Sequence, residues 1–322
     1  MDALWWSLGI IGSLILIILI TSLVCFFKVF FIKSRKEKKA DEYNIPEGRI
    51  YEVYRDDLVG WMKMARTLPY EKVEIKSRDG LTLRAKYYEC EKDAPVELLF
   101  HGYKGDAERD LSGGIERCFA LKRNVLLIDQ RAGGASDGHV TTFGVKERED
   151  CVLWAEYAAK RFGNSIKLFL SGVSMGAATV MMASAEKLPE SVVCILADCG
   201  YDSQKNIISK ILREMHLPTF IFYPMIKLGA KLYGGFNLDE TTPLEAMKSC
   251  HLPIIFVHGD ADKFVPHEMS VNLYNACVSE KKRLVTIKDA GHGLAFPADR
   301  KGYIEAVGKA AEDWGLLSEK II

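Results

Sequence analysis

The chain has 322 residues, 48% of them hydrophobic and 27% charged, enough to fill one large core or two modest ones. Its 43 Lys and Arg balance 43 Asp and Glu, which leaves no basic field for nucleic acid and no acidic excess for a basic partner. The eight cysteines lack paired Cys-x-x-Cys spacing and the seven histidines lie far apart, a pattern that points to free thiols in a reducing compartment, no metal site and no bound cofactor.

Residues 4–27 carry no charge and are dominated by Leu, Ile, Val, Trp and Phe. That length is sufficient to cross a hydrocarbon core of about 30 Å, so residues 1–33 are expected to form a single transmembrane anchor. A cleaved signal peptide fits less well, because there is no basic n-region, the apolar part is too long, and no small-x-small site precedes Lys33. Lys28, Lys33, Arg35, Lys36, Lys38 and Lys39 follow the span, whereas Asp2 and the terminal amine precede it. The positive-inside rule therefore puts the large domain in the cytoplasm. Trp5 and Trp6 at one end, and Lys28, Phe30 and Phe31 at the other, are expected as interfacial anchors. Residues 34–69 read as a basic linker and lead-in, the part up to Gly48 lifting the soluble domain off the bilayer.

From residue 70 onward the pattern is that of one α/β domain. Residues 71–76 and 81–88 alternate in polarity around Arg78-Asp79-Gly80, which predicts an antiparallel hairpin. Short, nearly continuous apolar strands follow at 96–100, 125–128, 166–170, 192–197, 254–257 and 284–287. Helical spacing at 144–162, 177–187, 268–278 and 303–314 separates several of them, which predicts a mostly parallel sheet with helices on both faces. Residues 203–232 exceed what one crossover needs and hold the apolar run 220–226 after Pro218. This helical cap insertion, about 203–242 in all, is either a lid over a site or an extra packing layer.

In an open α/β sheet, reactive groups gather just beyond the carboxyl ends of the strands. Gly172-Val173-Ser174-Met175-Gly176 follows an apolar strand and precedes an Ala- and Met-rich helix, the context of a nucleophile elbow with Ser174 exposed at the turn. Gly259-Asp260-Ala261-Asp262 follows a later strand, and Asp289-Ala290-Gly291-His292-Gly293 the last one. The order Ser174, Asp262, His292 is that of an α/β-hydrolase and differs from the chymotrypsin and subtilisin orders. Asp260 and Asp198 are rival acids, the first read as a turn residue capping its own loop. His101 is read as a support for the loop it begins and His258 as structural; His139, His216, His251 and His267 have no motif behind them.

Four blocks in order, His101-Gly102-Tyr103-Lys104-Gly105, Asp129-Gln130-Arg131-Ala132-Gly133-Gly134-Ala135-Ser136, the elbow, and the paired loops of Asp262 and His292, resemble the α/β-hydrolase superfamily. The likeness is to its serine-aminopeptidase-like branch of esterases, lipases and peptidases, from about Tyr70 to the C-terminus; Ala132 stands where that branch more often has Gly. The resemblance implies that Ser174 attacks a carbonyl carbon, His292 takes and returns its proton, and Asp262 orients the imidazole. It also implies an oxyanion hole made by the backbone amides of Met175 and Tyr103, with Lys104 the alternative to Tyr103. Since these are main-chain groups, the side chain at Tyr103 is expected to be weakly constrained. The implied activity is a membrane-anchored serine hydrolase of carboxylic esters or thioesters, acting on small-molecule or lipid-like acyl substrates whose chains pass beneath Phe220, Phe222 and Met225. A peptidase of the same fold, holding a substrate amine with Glu214, Asp239 or Glu240, is the alternative. A noncatalytic scaffold is a third, disfavoured because it has no need of all three triad residues.

Overall fold

A computed structural model describes residues 2–33, 42–163 and 165–316. Three helices precede the sheet: α1 (Asp2–Val29), α2 (Arg49–Glu52) and α3 (Arg55–Thr67). The chain continues as β1 (Glu71–Lys76), β2 (Thr82–Tyr88), β3 (Val96–Phe100), α4 (Ala107–Ala120), β4 (Asn124–Asp129), α5 (Glu147–Phe162), β5 (Leu168–Val173), α6 (Met175–Ala183) and β6 (Val192–Asp198). The insertion supplies α7 (Gln204–Glu214), α8 (Thr219–Leu232) and α9 (Pro243–Met247). It is followed by β7 (Ile254–Gly259), α10 (His267–Ala276), β8 (Lys282–Ile287), α11 (Ala295–Ala298) and α12 (Arg300–Asp313).

The strands form one eight-stranded sheet in the order β1-β2-β4-β3-β5-β6-β7-β8. β1 and β2 pair antiparallel, β2 pairs antiparallel with β4, and every later pairing is parallel. β3 lies between β4 and β5, so the chain reverses its direction of travel across the sheet there. That switch opens a crevice at the carboxyl ends of β3 and β5. Side chains alternate between two apolar layers, as the two-residue period of a strand demands. Leu126, Ile128, Leu168, Leu170, Ile254 and Phe256 face α5, α6 and α10. Val125, Leu127, Phe169, Ile255 and Val257 face the side of α3, α4 and α12.

Besides short helices, two longer ones go beyond the sequence reading. Leu58, Trp61, Met62 and Ala65 stand at helical spacing and turn part of the predicted lead-in into α3, which buries the last three of them. α4 starts where the Asp106 side chain accepts the Arg109 amide at 2.9 Å, and it buries Leu111, Ile115 and Cys118. Seven of the eight free cysteines are buried and Cys90 is exposed.

Between β3 and α4 lies a fully enclosed ion cluster. Glu97 accepts from Arg117 at 2.6 Å and from Arg123 at 2.7 Å, and Arg123 also stacks 3.7 Å from the Phe169 ring centroid. Burial alone would raise the Glu97 carboxyl, but the two guanidinium groups outweigh it and hold the group at about 2. A folded-state pKa below the ordinary value of about 4.3 gives stabilisation that is complete above that value and is lost as pH falls through about 2. Glu97→Gln leaves two buried guanidinium groups facing a neutral amide and is expected to cost about 3–5 kcal/mol at pH 7. Thermal melts from pH 7 down to pH 2 check this: the gap between wild type and variant should narrow on acidification, and a constant gap would contradict the assignment.

α1 is not isolated from the domain. At 1.5 Å per residue its 28 residues span about 42 Å. Residues 4–20 are exposed on every side, whereas Ser22, Cys25, Phe26 and Phe30 are buried against the cap. α1 packs on α8, where a Cβ added at Gly229 would lie 2.5 Å from the Ser22 carbonyl oxygen. Phe30 is fully enclosed, edge-on to Phe143 and Phe236 at centroid distances of 5.9 and 5.2 Å. Each such phenylalanine contributes about 1.5–3 kcal/mol. Beyond the helix, Ile32 donates to the His139 carbonyl at 2.7 Å and Thr141 to the Phe30 carbonyl at 3.0 Å.

One expectation changes accordingly. Phe30 belongs to the protein core and is not an interfacial anchor, while Trp5 and Trp6 remain exposed. The end of α1 meets the domain directly, through Ile32 and His139; farther along, Glu42 and Tyr43 lie against α3, with the Tyr43 ring 4.4 Å from the Arg66 guanidinium and the Glu42 carbonyl accepting from Arg66 at 2.8 Å. The basic residues Arg35, Lys36, Lys38 and Lys39 lie outside the described residues.

Candidate active site

At the crevice, β5 ends in a turn too tight for side chains at its flanks. A Cβ at Gly172 would lie 2.1 Å from the Gly176 carbonyl, and one at Gly176 would lie 2.0 Å from the Phe100 carbonyl oxygen. Ser174 between them takes φ 57° and ψ −116°, a conformation that costs a non-glycine residue about 1–3 kcal/mol. The strain puts its hydroxyl at the mouth of the crevice. Its own amide is used by the Asp198 carbonyl at 2.8 Å.

Three loops bring the partners. His292, after β8, has Nε2 3.0 Å from Ser174 Oγ and Nδ1 2.7 Å from Asp262 Oδ2. With the carboxylate accepting at Nδ1, Nε2 is the bare nitrogen that accepts the Ser174 hydroxyl proton. Asp262, after β7, is buried; its Oδ1 accepts the amides of Phe264 at 2.8 Å and Val265 at 2.9 Å. Burial would raise this carboxyl, but hydrogen bonds from His258 and His292 outweigh it and hold Asp262 well below the usual carboxylate range. Phe264 covers the imidazole of His292 edge-on at 4.9 Å.

The rivals are accounted for by their contacts. Asp198 Oδ2 accepts from the Tyr303 hydroxyl at 2.9 Å, and Asp260 Oδ1 accepts the Asp289 amide at 2.6 Å as a loop cap. His258 is enclosed and places Nε2 2.9 Å from the Val265 carbonyl and 3.2 Å from Asp262 Oδ2, with Nδ1 2.6 Å from Ser270 Oγ. It therefore braces the same carboxylate that holds His292. His101 accepts the Gln130 amide at Nε2 and donates from Nδ1 to the Gly102 carbonyl, bracing the loop after β3.

That loop runs beside the nucleophile, since a Cβ at Gly102 would lie 3.6 Å from Ser174 Cβ. Its next residue, Tyr103, lines the same cavity as Ser174 and His292. Met175 is the first residue of α6, and an amide there has no intrahelical acceptor. The Tyr103 side chain is far from unconstrained: its ring packs on Phe143 at 4.8 Å and its hydroxyl donates to the Val29 carbonyl of α1.

Cys199, Asp262 and His292 also bring potential ligand atoms within 4.8 Å of one another. They do not suit a metal: the Asp262 oxygens are already taken by two histidines and two amides, and burial pushes the Cys199 thiol far up, away from the thiolate a metal needs.

The cavity at Ser174, open to the surface, has a volume of about 170 Å³ and is walled by Tyr51, Leu58, Tyr103, Arg109, Phe264 and Leu294 among others. Tyr51 and Leu58 come from the lead-in, and the Tyr51 hydroxyl donates to the His292 carbonyl at 3.1 Å. The lead-in, not the insertion, covers the site. Phe220, Phe222 and Met225 do not line this cavity; α8 turns toward α1 instead, and Phe220 is 80% exposed. The sequence carried a signal for α3 in the stripe of Leu58, Trp61, Met62 and Ala65, but none that tied Tyr51 to a histidine 241 positions away.

Comparison with known proteins identifies relatives over most of the chain. The chain is 24% identical over 303 residues to the uncharacterized protein YqkD of Bacillus subtilis, covering 92% of this chain and 94% of that one. It is 27% identical over 247 residues to protein bem46 of Schizosaccharomyces pombe, covering 74% and 76%. Among solved structures, Pyrococcus furiosus esterase Pf2001 superposes with a TM-score of 0.66 at 21% identity, over 89% of this chain and 99% of that one, which shows the fold. Residues 140–308, more than half of the chain, match the prolyl oligopeptidase family, and the match takes in the elbow, the Asp262 loop and the His292 loop. A hydrolase fold with the matched segment carrying the loops of Ser174, Asp262 and His292 leads to one assignment: the chain is an α/β-hydrolase and belongs to the prolyl oligopeptidase family.

Proposed function

We propose that the protein is a membrane-anchored serine hydrolase that cleaves carboxylic esters or thioesters of small acyl groups. The observation that carries this reading is the unbroken relay from Ser174 Oγ to His292 Nε2 at 3.0 Å and from His292 Nδ1 to Asp262 Oδ2 at 2.7 Å. A hydroxyl is a poor nucleophile near neutral pH, and an imidazole that takes its proton as the bond forms removes that barrier. Ser174 Oγ adds to the carbonyl carbon while His292 Nε2 accepts the proton and Asp262 stabilises the imidazolium. The oxyanion is held by the Met175 and Tyr103 amides. His292 then protonates the leaving alcohol or thiol, leaving an acyl-Ser174; water, deprotonated by the same imidazole, releases the acid and restores the hydroxyl.

The cavity bounds the substrate. A volume near 170 Å³ is close to that of an apolar protein cavity that accommodates benzene, so a compact acyl group fits beside Ser174. The peptidase reading draws on the family name, yet the acidic residues it needs are engaged elsewhere. Glu214 pairs with Lys210, Glu240 with Arg148, and Asp239 with Lys227 and Tyr223, and none lines the cavity. The ester reading is the one the pocket favours, and the esterase named among the structural neighbours is in keeping with it.

The anchor is supported by the fully exposed apolar surface of residues 4–20, and a cytoplasmic domain by Lys28 and Lys33 after the span. One labelling experiment tests activity and side together. In cells expressing the full chain, a membrane-permeant fluorophosphonate should modify the peptide containing Ser174, and an impermeant biotinylated one should do so after lysis alone. Modification of another residue, or none, would sink the serine mechanism; labelling of intact cells by the impermeant probe would reverse the orientation.

A further inference from the structure

The last turn of any helix leaves carbonyl groups without intrahelical donors. At the end of α1 two of these are satisfied by one loop of the hydrolase domain: the Tyr103 hydroxyl donates to the Val29 carbonyl, and Lys104 Nζ donates to the Lys28 carbonyl at 2.9 Å. A cation at this end also complements the helix dipole. Tyr103 and Lys104 are consecutive residues of the loop that runs beside Ser174 and supplies the second oxyanion amide of the proposed mechanism.

The loop is a tight turn. Gly105 donates to the Gly102 carbonyl at 3.1 Å, Lys104 takes φ 50°, and the Gly102 amide is fixed by Asp110 Oδ2 at 3.1 Å. Asp110 and His101 hold its start, whereas the side chains of Tyr103 and Lys104 reach away to α1. A second path runs through aromatic packing, from Tyr103 to Phe143 at 4.8 Å and from Phe143 to Phe30 at 5.9 Å. α1 itself is located independently of the loop, by its close approach to Gly229 and by the Tyr233 hydroxyl on the Leu19 carbonyl at 3.1 Å.

We propose that the anchor helix is a working part of the active site: Tyr103 and Lys104 are positioning residues that fasten the oxyanion loop to the last carbonyls of α1. The hydrolase domain cut free of α1 then has a looser oxyanion donor, whatever its overall fold. The inference rests on the Ser174 mechanism above and adds to it a role for the anchor beyond localisation.

Steady-state hydrolysis of p-nitrophenyl butyrate by the full chain in detergent micelles tests it, with active sites counted by fluorophosphonate titration. Losing an oxyanion donor outright costs about a hundred to a thousandfold; a donor merely loosened is expected to cost about tenfold. Tyr103→Phe, which keeps the ring on Phe143, should lower kcat per active site about tenfold with KM within about twofold of wild type. It should weaken binding of a trifluoromethyl ketone transition-state analogue in parallel. Gly229→Leu, which wedges α1 from the cap far from Ser174, should lower kcat in the same way. A role confined to stability would lower the melting temperature and leave kcat per active site unchanged, and that result for Tyr103→Phe would overturn the proposal. Should Tyr103→Phe not fold, Lys104→Met is read by the same criteria. Wild type inactive on the ester, or Ser174→Ala as active as wild type, would overturn the hydrolytic mechanism and this inference with it, an outcome distinct from Tyr103→Phe alone behaving as wild type.

Discussion

Ser174→Ala is expected to lower kcat on p-nitrophenyl butyrate by about 10⁶-fold and Asp262→Asn by about 10⁴-fold, both without loss of fold. The first removes the atom that in the proposed mechanism bonds to the acyl carbon, and what remains is water acting in a site that still holds the proposed oxyanion donors. The second acts through hydrogen-bond polarity. Oδ1 of Asp262 accepts two backbone amides, from Phe264 and Val265. Those amides fix the oxygen of an asparagine at that position, which leaves its NH₂ where Oδ2 now meets His292 Nδ1 and His258 Nε2. Donor then faces donor. His292 escapes by moving its proton to Nε2, the tautomer that cannot accept from Ser174. The double variant should be no slower than Ser174→Ala alone, since the three residues act as one unit. Kinetics on the purified full chain decide: an Asp262→Asn enzyme within tenfold of wild type would show that Asp262 does not set the His292 tautomer.

What could be read in the sequence and what could not divides along physical lines. The elbow and the loops of Asp262 and His292 each follow an apolar strand and carry their turn residues locally, and strand order then brings them together. The cap was ambiguous for a different reason. Its apolar run 220–226 is equally compatible with facing a substrate or a helix, and α8 turns out to face α1. α1 hid the complementary fact. Its buried flank, with Cys25, Phe26 and Phe30, and its exposed flank, with Val24 and Phe27, are both apolar. Hydropathy scores lipid-facing and protein-facing residues alike, so no periodicity separates them. The same blindness applies to Tyr103, whose role depends on a carbonyl 74 positions earlier in the chain.

Gly176→Ala carries the largest expected effect on stability. Its new Cβ would lie 2.0 Å from the Phe100 oxygen, 2.6 Å from the Phe100 carbonyl carbon and 2.8 Å from the His101 oxygen. All three are backbone atoms, of β3 and of the loop that follows it, so no rotamer change relieves the clash. Side-chain overpacking costs about 1–3 kcal/mol, and a contact that must move a central strand exceeds it, at about 4 kcal/mol or more. For a chain of this size that is a fall in melting temperature of about 6 °C or more, or no folded protein. Gly60→Ala is the contrast. Gly60 lies inside α3 with nothing within 4 Å of its added Cβ, and the change should stabilise by about 0.5–1 kcal/mol. Melts followed by tryptophan fluorescence would measure both, and Gly176→Ala melting within about 2 °C of wild type would show that α6 does not press on β3 as closely as described. The steric demand also explains why folding and catalysis share this position. The approach that forbids a methyl group at Gly176 carries the first turn of α6, with the Met175 amide, up against the end of β3 and the loop of Tyr103. Any shift large enough to admit the methyl group separates the two proposed oxyanion donors, so such a variant that still folded should show a lower kcat before it showed a higher KM.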